Sequence, residues 1–292
     1  MTLNNFIPQI WAARLLSNLN EAHVFAGLAN RDYEGDIRGV GDTVKINAIG
    51  RVSIGTYSKN TNMAAAETLT DAQTTLVINK ADYFNFQIDD IDKVQQKPKV
   101  MDEAMREAAY GLARKVDTAL AGMHSDTPAA NKIGGDGSTA KLGLVLTAGS
   151  ALYDYLVDLK VILDQNNCPD DGRRWVVVPA WAHGALLKDS RFINATEMGN
   201  TIRSNGLIGK AAGFNVHLSN NVTDDGESVK TYRIIAGHPM AVSFAGQISG
   251  VEAYRPELRF ADAVKGLHVW GYKVVRPALL ATLYAKNAAT AS

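Results

Sequence analysis

The feature that most constrains this 292-residue chain is a change of period at Thr43. Val44, Ile46 and Ala48 alternate with Thr43, Lys45 and Asn47, and Leu76 and Ile78 alternate with Thr75, Val77 and Asn79. Phe84, Phe86 and Ile88 repeat the pattern against Asn85 and Gln87. A period of two sends successive side chains to opposite faces, so each run reads as a β-strand. Between the first two runs lies a polar, small-residue stretch from Ser58 to Glu67. The pattern predicts a long β-hairpin with a soft tip, two exposed faces and little self-burial. A two-stranded ribbon is marginal in water, so this one implies a partner.

Helical periods flank the hairpin. Ile10, Leu15, Leu16 and Leu19 predict an amphipathic helix over residues 9–23, with Pro8 suited to its first turn. Asn30 to Gly41 reads as a turn-rich connector. Met101, Met105, Ala108, Leu112, Val116, Ala119 and Met123 form one stripe, predicting a long helix over residues 99–123. His124–Gly143 reads as a loop and Leu144–Asn166 as a helix carrying Leu152, Leu156, Leu159 and Leu163. A turn at Cys168–Gly172 leads to a buried strand, Arg174–Pro179, and a short helix, Trp181–Lys188. Further strands are expected from Gly213, at Arg233–Gly237, Met240–Phe244, Gly250–Tyr254, Leu267–Val275 and Leu279–Ala285. Helices and strands mix without βαβ alternation, so the fold class is α+β.

Chemistry is harder to find. The 30 basic and 30 acidic residues cancel to a formal charge of +0, unlike a dedicated nucleic-acid binder. A single cysteine, Cys168, excludes an intrachain disulfide framework, and the acids beside it disfavour a reactive thiolate. Gly206-Leu-Ile-Gly209-Lys210 lacks the spacing of a phosphate loop and has Ala211 where a hydroxyl should hold magnesium. The six histidines form no close sequence pairs. Asp82, Asp89, Asp90 and Asp92 lack the glycine-centred loop of a calcium site and read as a solvated turn. Asn194-Ala-Thr196 and Asn221-Val-Thr223 match the glycosylation pattern without a secretory signal beside them. No run has the roughly 18 apolar residues of a membrane span. Physics alone therefore points to a non-enzymatic, obligately assembling protein with no cofactor or metal.

The order of these features resembles the major capsid proteins of tailed bacteriophages, the Hong Kong 97-like fold. Phe6-Ile-Pro-Gln-Ile-Trp11-Ala-Ala-Arg-Leu-Leu16 is similar to that family's N-terminal arm. Tyr33-Glu-Gly-Asp-Ile37 through Gly41-Asp-Thr-Val-Lys-Ile-Asn47 resembles the start of its extended E-loop. The turn and strand from Asn167 to Pro179, and Gly206 to Asn220, are similar to stretches of its axial (A) domain. The resemblance implies an arm over 1–40 and an E-loop hairpin with base strands over 41–92. A spine helix of the peripheral (P) domain would cover 93–125, a mainly axial segment 126–238, and P-domain strands returning to the A domain 239–292.

Function follows from the same resemblance. Copies would join as hexamers and pentamers in an icosahedral shell around double-stranded DNA, assembled in the host cytoplasm and residing in the virion. The hairpin of about residues 42–80 would lie over an adjacent subunit. Phe6, Trp11, Ile54, Tyr57 and Lys59 are the expected interface residues, against packing on the chain's own P domain. A separate scaffolding protein, a portal and decoration proteins are the implied partners, with non-specific DNA contact and no membrane. Because the arm begins within about ten residues of Met1, no cleaved assembly segment is expected. Some relatives crosslink through a hairpin lysine; Lys59 lies near the tip, but its partner is unmatched, so no crosslink is expected. The alternatives are an encapsulin-type compartment enclosing an enzyme, or an enzyme whose site is assembled from scattered residues.

Overall fold

The computed structural model describes residues 23–34, 41–49, 54, 56–60, 62, 65, 71–89, 100–134, 144–146, 149–189, 209–226, 230–258 and 260–287. The expected helix at 9–23 lies outside them apart from its last residue. The alternation after Gly41 does form a ribbon. Strand β1 (Thr43–Ile49) runs antiparallel to β2 (Asp71–Val77), with Thr43 opposite Val77 and Ile49 opposite Asp71. Gly41, at φ +95°, turns the chain into β1, and its N–H donates to the Ile78 carbonyl at 2.8 Å. The base of the ribbon departs from the expectation of two exposed faces. Val44, Ile46, Leu76 and Ile78 are buried against Ala245 and Val269, so one face of the base belongs to the core.

Strand β3 (Lys80–Asp89) follows, and then helix α1 (Val100–Ala121), which ends in a tighter turn at Gly122–Asp126. Along α1, Met105, Leu112 and Val116 of the expected stripe are buried, joined by Ala109, Ala113 and Leu120, and Met123 is buried in the turn that follows. The loop expected from His124 holds a second 3-10 turn, Ala129–Asn131, and a short strand, β4 (Lys132–Ile133). The helix expected over Leu144–Asn166 divides. Leu144–Leu146 is strand β5, and helix α2 runs from Gly149 to Gln165. The run Leu-Val-Leu suits an extended edge as well as a helix, and a long-range partner decides between them. Asn167, at φ 56°, ends α2 in the left-handed conformation that closes many helices. Strand β6 (Trp175–Val178) and helix α3 (Ala180–Leu187) come next.

The last third supplies β7 (Lys210–Ala211), β8 (Phe214–Leu218), β9 (Thr231–Gly237), β10 (Val242–Tyr254), β11 (Ala261–Val274) and β12 (Leu280–Asn287). Ala212 and Gly213, both at positive φ, join β7 to β8 in a two-residue hairpin. The strands expected separately at Met240–Phe244 and Gly250–Tyr254 are one strand, β10. A register shift between Ile248 and Gly250 absorbs the break as a bulge.

Among the described residues these strands form a three-stranded sheet, β10-β11-β3, and a seven-stranded one, β4-β12-β9-β6-β8-β7, with β5 also pairing β12. The C-terminal strand β12 lies inside the larger sheet, so the chain's end closes on its middle. α1 links the two sheets. Its first half packs Met105, Ala109, Leu112 and Ala113 on Val251 and Val264 of the small sheet. Its second half and the turn after it put Val116, Leu120 and Met123 into a core shared with α2, α3 and the large sheet. Two buried polar side chains beside that core, Asn131 and Thr127, are paired. The Asn131 amide donates to the Leu280 carbonyl at 2.8 Å, and Thr127 meets Thr282 at 3.0 Å, hydroxyl to hydroxyl.

Candidate assembly surfaces

The ribbon is held at its base by close backbone approach. A Cβ on Gly271 would sit 2.4 Å from the Val77 carbonyl oxygen and 3.1 Å from the Ile78 Cα, so only glycine lets β11 pass beneath. Beside it, the Lys80 ammonium lies 4.6 Å from the Trp270 ring centroid and 4.7 Å from that of Tyr272. Burial lowers the Lys80 pKa against the pull of Asp82. Trp270 Nε1–H donates to the Asp82 carboxylate at 2.8 Å, and Lys115 of α1 pairs with the same group. Burial opposes the charge on Asp82, but the bonds from Lys115 and Trp270 prevail and hold its carboxyl below the usual range. Asp82 is thus a joint between ribbon, helix and sheet. Asp90 and Asp92 and the side chain of Asp89 lie outside the described residues.

A second joint fixes the segment that leads from the N terminus. Asp117, on the buried side of α1, accepts the backbone N–H of Val24 at 2.7 Å and of Ala26 at 3.2 Å. His23 Nδ1 lies 3.6 Å from the same carboxylate. Further on, Asn30 N–H donates to the Val242 carbonyl and accepts from Phe244 N–H through its own carbonyl, both at 2.9 Å. His268 is buried nearby, its Nδ1 has no hydrogen-bond partner, and burial with help from His23 lowers its pKa to about 4. No local pattern signals these roles, because the partners stand about ninety residues away or more.

Beyond the base, the described residues of the segment between β1 and β2 are exposed. Ile54 is 97% exposed and Tyr57 70%, and Lys59 is exposed with them. The three expected tip residues therefore share one overhanging region and do not pack on the chain's own body. Phe6 and Trp11 lie outside the described residues. The sequence reading also missed surfaces of the same kind. Leu258 and Phe260 protrude almost wholly exposed at the turn between β10 and β11, and Tyr83 is 78% exposed on β3. Tyr83 was findable: it falls out of phase with inward Phe84 and Phe86.

Convergent chemistry is not visible among the described residues. No three His, Cys, Asp or Glu side chains gather as metal ligands there. Burial, against the neighbouring Arg174, raises the Cys168 thiol pKa, which matches an inert core cysteine. No described helix is long and apolar enough to cross a membrane. Two sheets fused through one helix, with large apolar side chains on overhanging turns, define a structural subunit built to be covered by neighbours.

Comparison with known proteins gives that class its family. The sequence profile described as "Phage capsid protein" matches residues 71–283. Among solved structures, the chain is similar to one from Mycobacterium phage Che8, with 27% identity and a TM-score of 0.68 over 89% of this chain and 90% of that one. It is similar to the capsid of the cyanophage P-SCSP1u at 18% identity and TM-score 0.69, covering 91% and 88%. The virus-like particle from Pyrococcus furiosus also matches, at 11% identity and TM-score 0.54, covering 95% and 99%. No curated protein matches the chain. The chain belongs to the phage capsid protein family, as a bacteriophage major capsid protein and a structural component of the virion.

Proposed function

We propose that copies of this chain join as hexamers and pentamers in an icosahedral shell around double-stranded DNA, with the Hong Kong 97-like division of labour. The observation that carries this is the overhanging ribbon, anchored at its base and bearing uncovered Ile54 and Tyr57. In this reading residues 1–40 are the arm, 41–92 the E-loop and its base strands, and 93–125 the spine. Residues 126–238 form most of the axial domain, and 239–292 supply peripheral strands and the return into the axial sheet. The ribbon lies over an adjacent subunit, and Phe6 and Trp11 bury their apolar surface on another neighbour. Assembly takes place in the host cytoplasm with a separate scaffolding protein and a portal, and decoration proteins bind the finished shell.

The zero net charge supports a wall that tolerates phosphate without gripping it. Each neutralised phosphate adds salt-sensitive affinity, and hundreds of copies would multiply it until packaging and ejection stalled. The encapsulin-type alternative rests on a likeness that shows the fold alone, since the Pyrococcus particle shares only 11% identity.

The ribbon's register defines a clean test. Ile49 lies opposite Asp71, so residues 50–70 can be replaced by a short turn without touching the buried base. That deletion is expected to leave a folded subunit, by circular dichroism and thermal melting, that forms no closed particles by electron microscopy. Normal shells from the deletion would refute the interface role of the ribbon.

A further inference from the structure

One face of the large sheet, beside the turn at Gly122–Asp126, gathers positive charge without matching acids. Register fixes which side chains share that face. Arg233 of β9 stands opposite Tyr284 of β12, Thr231 stands opposite Lys286, and Lys132 of β4 stands beside Thr282. Alternate residues of a strand point the same way, so all of these leave the sheet on one side. The turn closes over them. Thr127 meets Thr282 hydroxyl to hydroxyl at 3.0 Å, and the His124 ring stands edge-on to Tyr284 with centroids 6.5 Å apart. Three elements thereby bring His124, Lys132 and Arg233 to one place.

Their charge is not balanced locally. Arg233 donates to a neutral acceptor, the Asp224 carbonyl, at 2.7 Å. Among the described residues no carboxylate pairs with Arg233 or with Lys132. The nearby acids are turned to other groups: Asp224 pairs with Lys230, and Asp225 accepts the Thr231 backbone N–H at 2.9 Å. The cations act on their neighbours. Burial, with Arg233 and Lys132, lowers the His124 pKa to about 4, and burial raises the Tyr284 pKa against the pull of Arg233. Two polar atoms of the cluster are buried with no partner among the described residues, His124 Nδ1 and Thr231 Oγ1, and Thr231 is 1% exposed. Unbalanced cations beside orphaned polar atoms are stabilised by an anion that accepts from several of them at once.

We infer that this face binds a small tetrahedral oxyanion of the sulfate or phosphate class, held by Arg233 and Lys132 and flanked by His124. A guanidinium offers paired donors at a spacing that matches two oxygens of such an ion, and an ammonium adds a point charge. The chain as a whole carries a formal charge of +0, so the excess is a local one and not part of a basic surface. A small ion suits the place better than a duplex. Arg233, Lys132 and His124 are half-buried, and the Tyr284 and Thr231 side chains beside them are buried, whereas a nucleic-acid backbone meets exposed side chains. One bound ion ties the turn after α1 to β4 and to the central strand β9.

Sodium sulfate is the probe, titrated at constant ionic strength and near neutral pH into the unassembled full chain and followed by amide and imidazole NMR. Saturable shifts centred on Gly122–Asp126, Lys132 and Arg233 are expected. Arg233→Gln is expected to weaken binding about tenfold, the loss of a charge-assisted bond. Lys132→Gln, on a short edge strand, is expected to weaken it in the same direction while leaving the core intact. Shifts that do not saturate, or that survive both substitutions, would overturn the inference. Titration gives a second reading. The groups facing His124 are Arg233 on β9, Lys132 on β4 and the Tyr284 ring on β12, while Asp126 on its own turn lies by Tyr272. A bound dianion favours the imidazolium, so saturating sulfate is expected to raise the His124 pKa above about 4; an unchanged value would count equally against the site. A duplex oligonucleotide at the same phosphate concentration is expected to leave these resonances in place. Duplex binding that Arg233→Gln abolishes would assign the face to nucleic acid and overturn the small-ion inference.

Discussion

At the scale of single residues, this subunit is held by buried polar groups whose partners are remote in sequence. Asp82 and Trp270 are 188 positions apart, and Asp117 caps backbone N–H groups 93 and 91 positions before it. That distance explains why Asp82 reads as part of an acidic turn in the sequence and as an internal joint in the fold. Titration makes the arrangement measurable. Burial lowers the pKa of both His268 and His124 to about 4, aided by His23 in the first case and by Arg233 and Lys132 in the second. In the unfolded chain these rings titrate near the ordinary 6.5. Between pH 6.5 and 4 the unfolded state therefore binds more protons than the folded one. Their contribution to stability is full above pH 6.5 and is lost as the pH falls toward 4. Asp171 has the same sign at lower pH: bonds from Arg173 hold its carboxyl well below the usual range, so its contribution goes only under strongly acidic conditions. The melting temperature of the unassembled subunit is expected to fall from pH 6.5 to 4, and His268→Gln is expected to make that fall shallower. An unchanged slope in the variant would show that His268 does not carry the effect.

At the scale of elements, local periodicity was legible and long-range cover was not. The pairing of β1 with β2, the long helix α1 and the four buried leucines of α2 all appear where the alternation and the helical stripes put them. Those signals need only near neighbours. The burial of the ribbon's base was invisible, because Ala245 and Val269 lie some two hundred residues downstream. Leu144–Leu146 went to a strand for a similar reason, drawn by the edge of β12 at the far end of the chain. Of the expected interface residues, Ile54, Tyr57 and Lys59 were legible as one overhanging group, whereas Tyr83 needed the sheet's phase to be recognised. Gly271 tests how the ribbon is anchored. Because an added methyl would collide with the Val77 carbonyl, Gly271→Ala is expected to destabilise the subunit by about 1–3 kcal/mol, as overpacking of a tight site does. Chemical denaturation measures this directly. A stability equal to the unmodified chain would mean that β11 and the ribbon's base are not in rigid contact.

At the scale of the whole molecule, length alone would have allowed two independent domains, but the core argues for one interlocked subunit. Phe25 near the N terminus, Val116 and Leu120 of α1, Trp270 of the small sheet and Leu283 of the last strand share one buried cluster. A rigid body of this kind suits a shell, since force on any part of the subunit is carried into one core. On the proposed reading, the absence of net charge has the same logic at larger scale, since a neutral wall would not hold DNA packed inside it. Above all, this body is built for closed assembly. Electron microscopy of the purified chain, alone and with a candidate scaffolding protein, is the decisive measurement. Closed icosahedral particles of uniform size are expected; persistent monomers under every assembly condition would show that the subunit is not built for a shell.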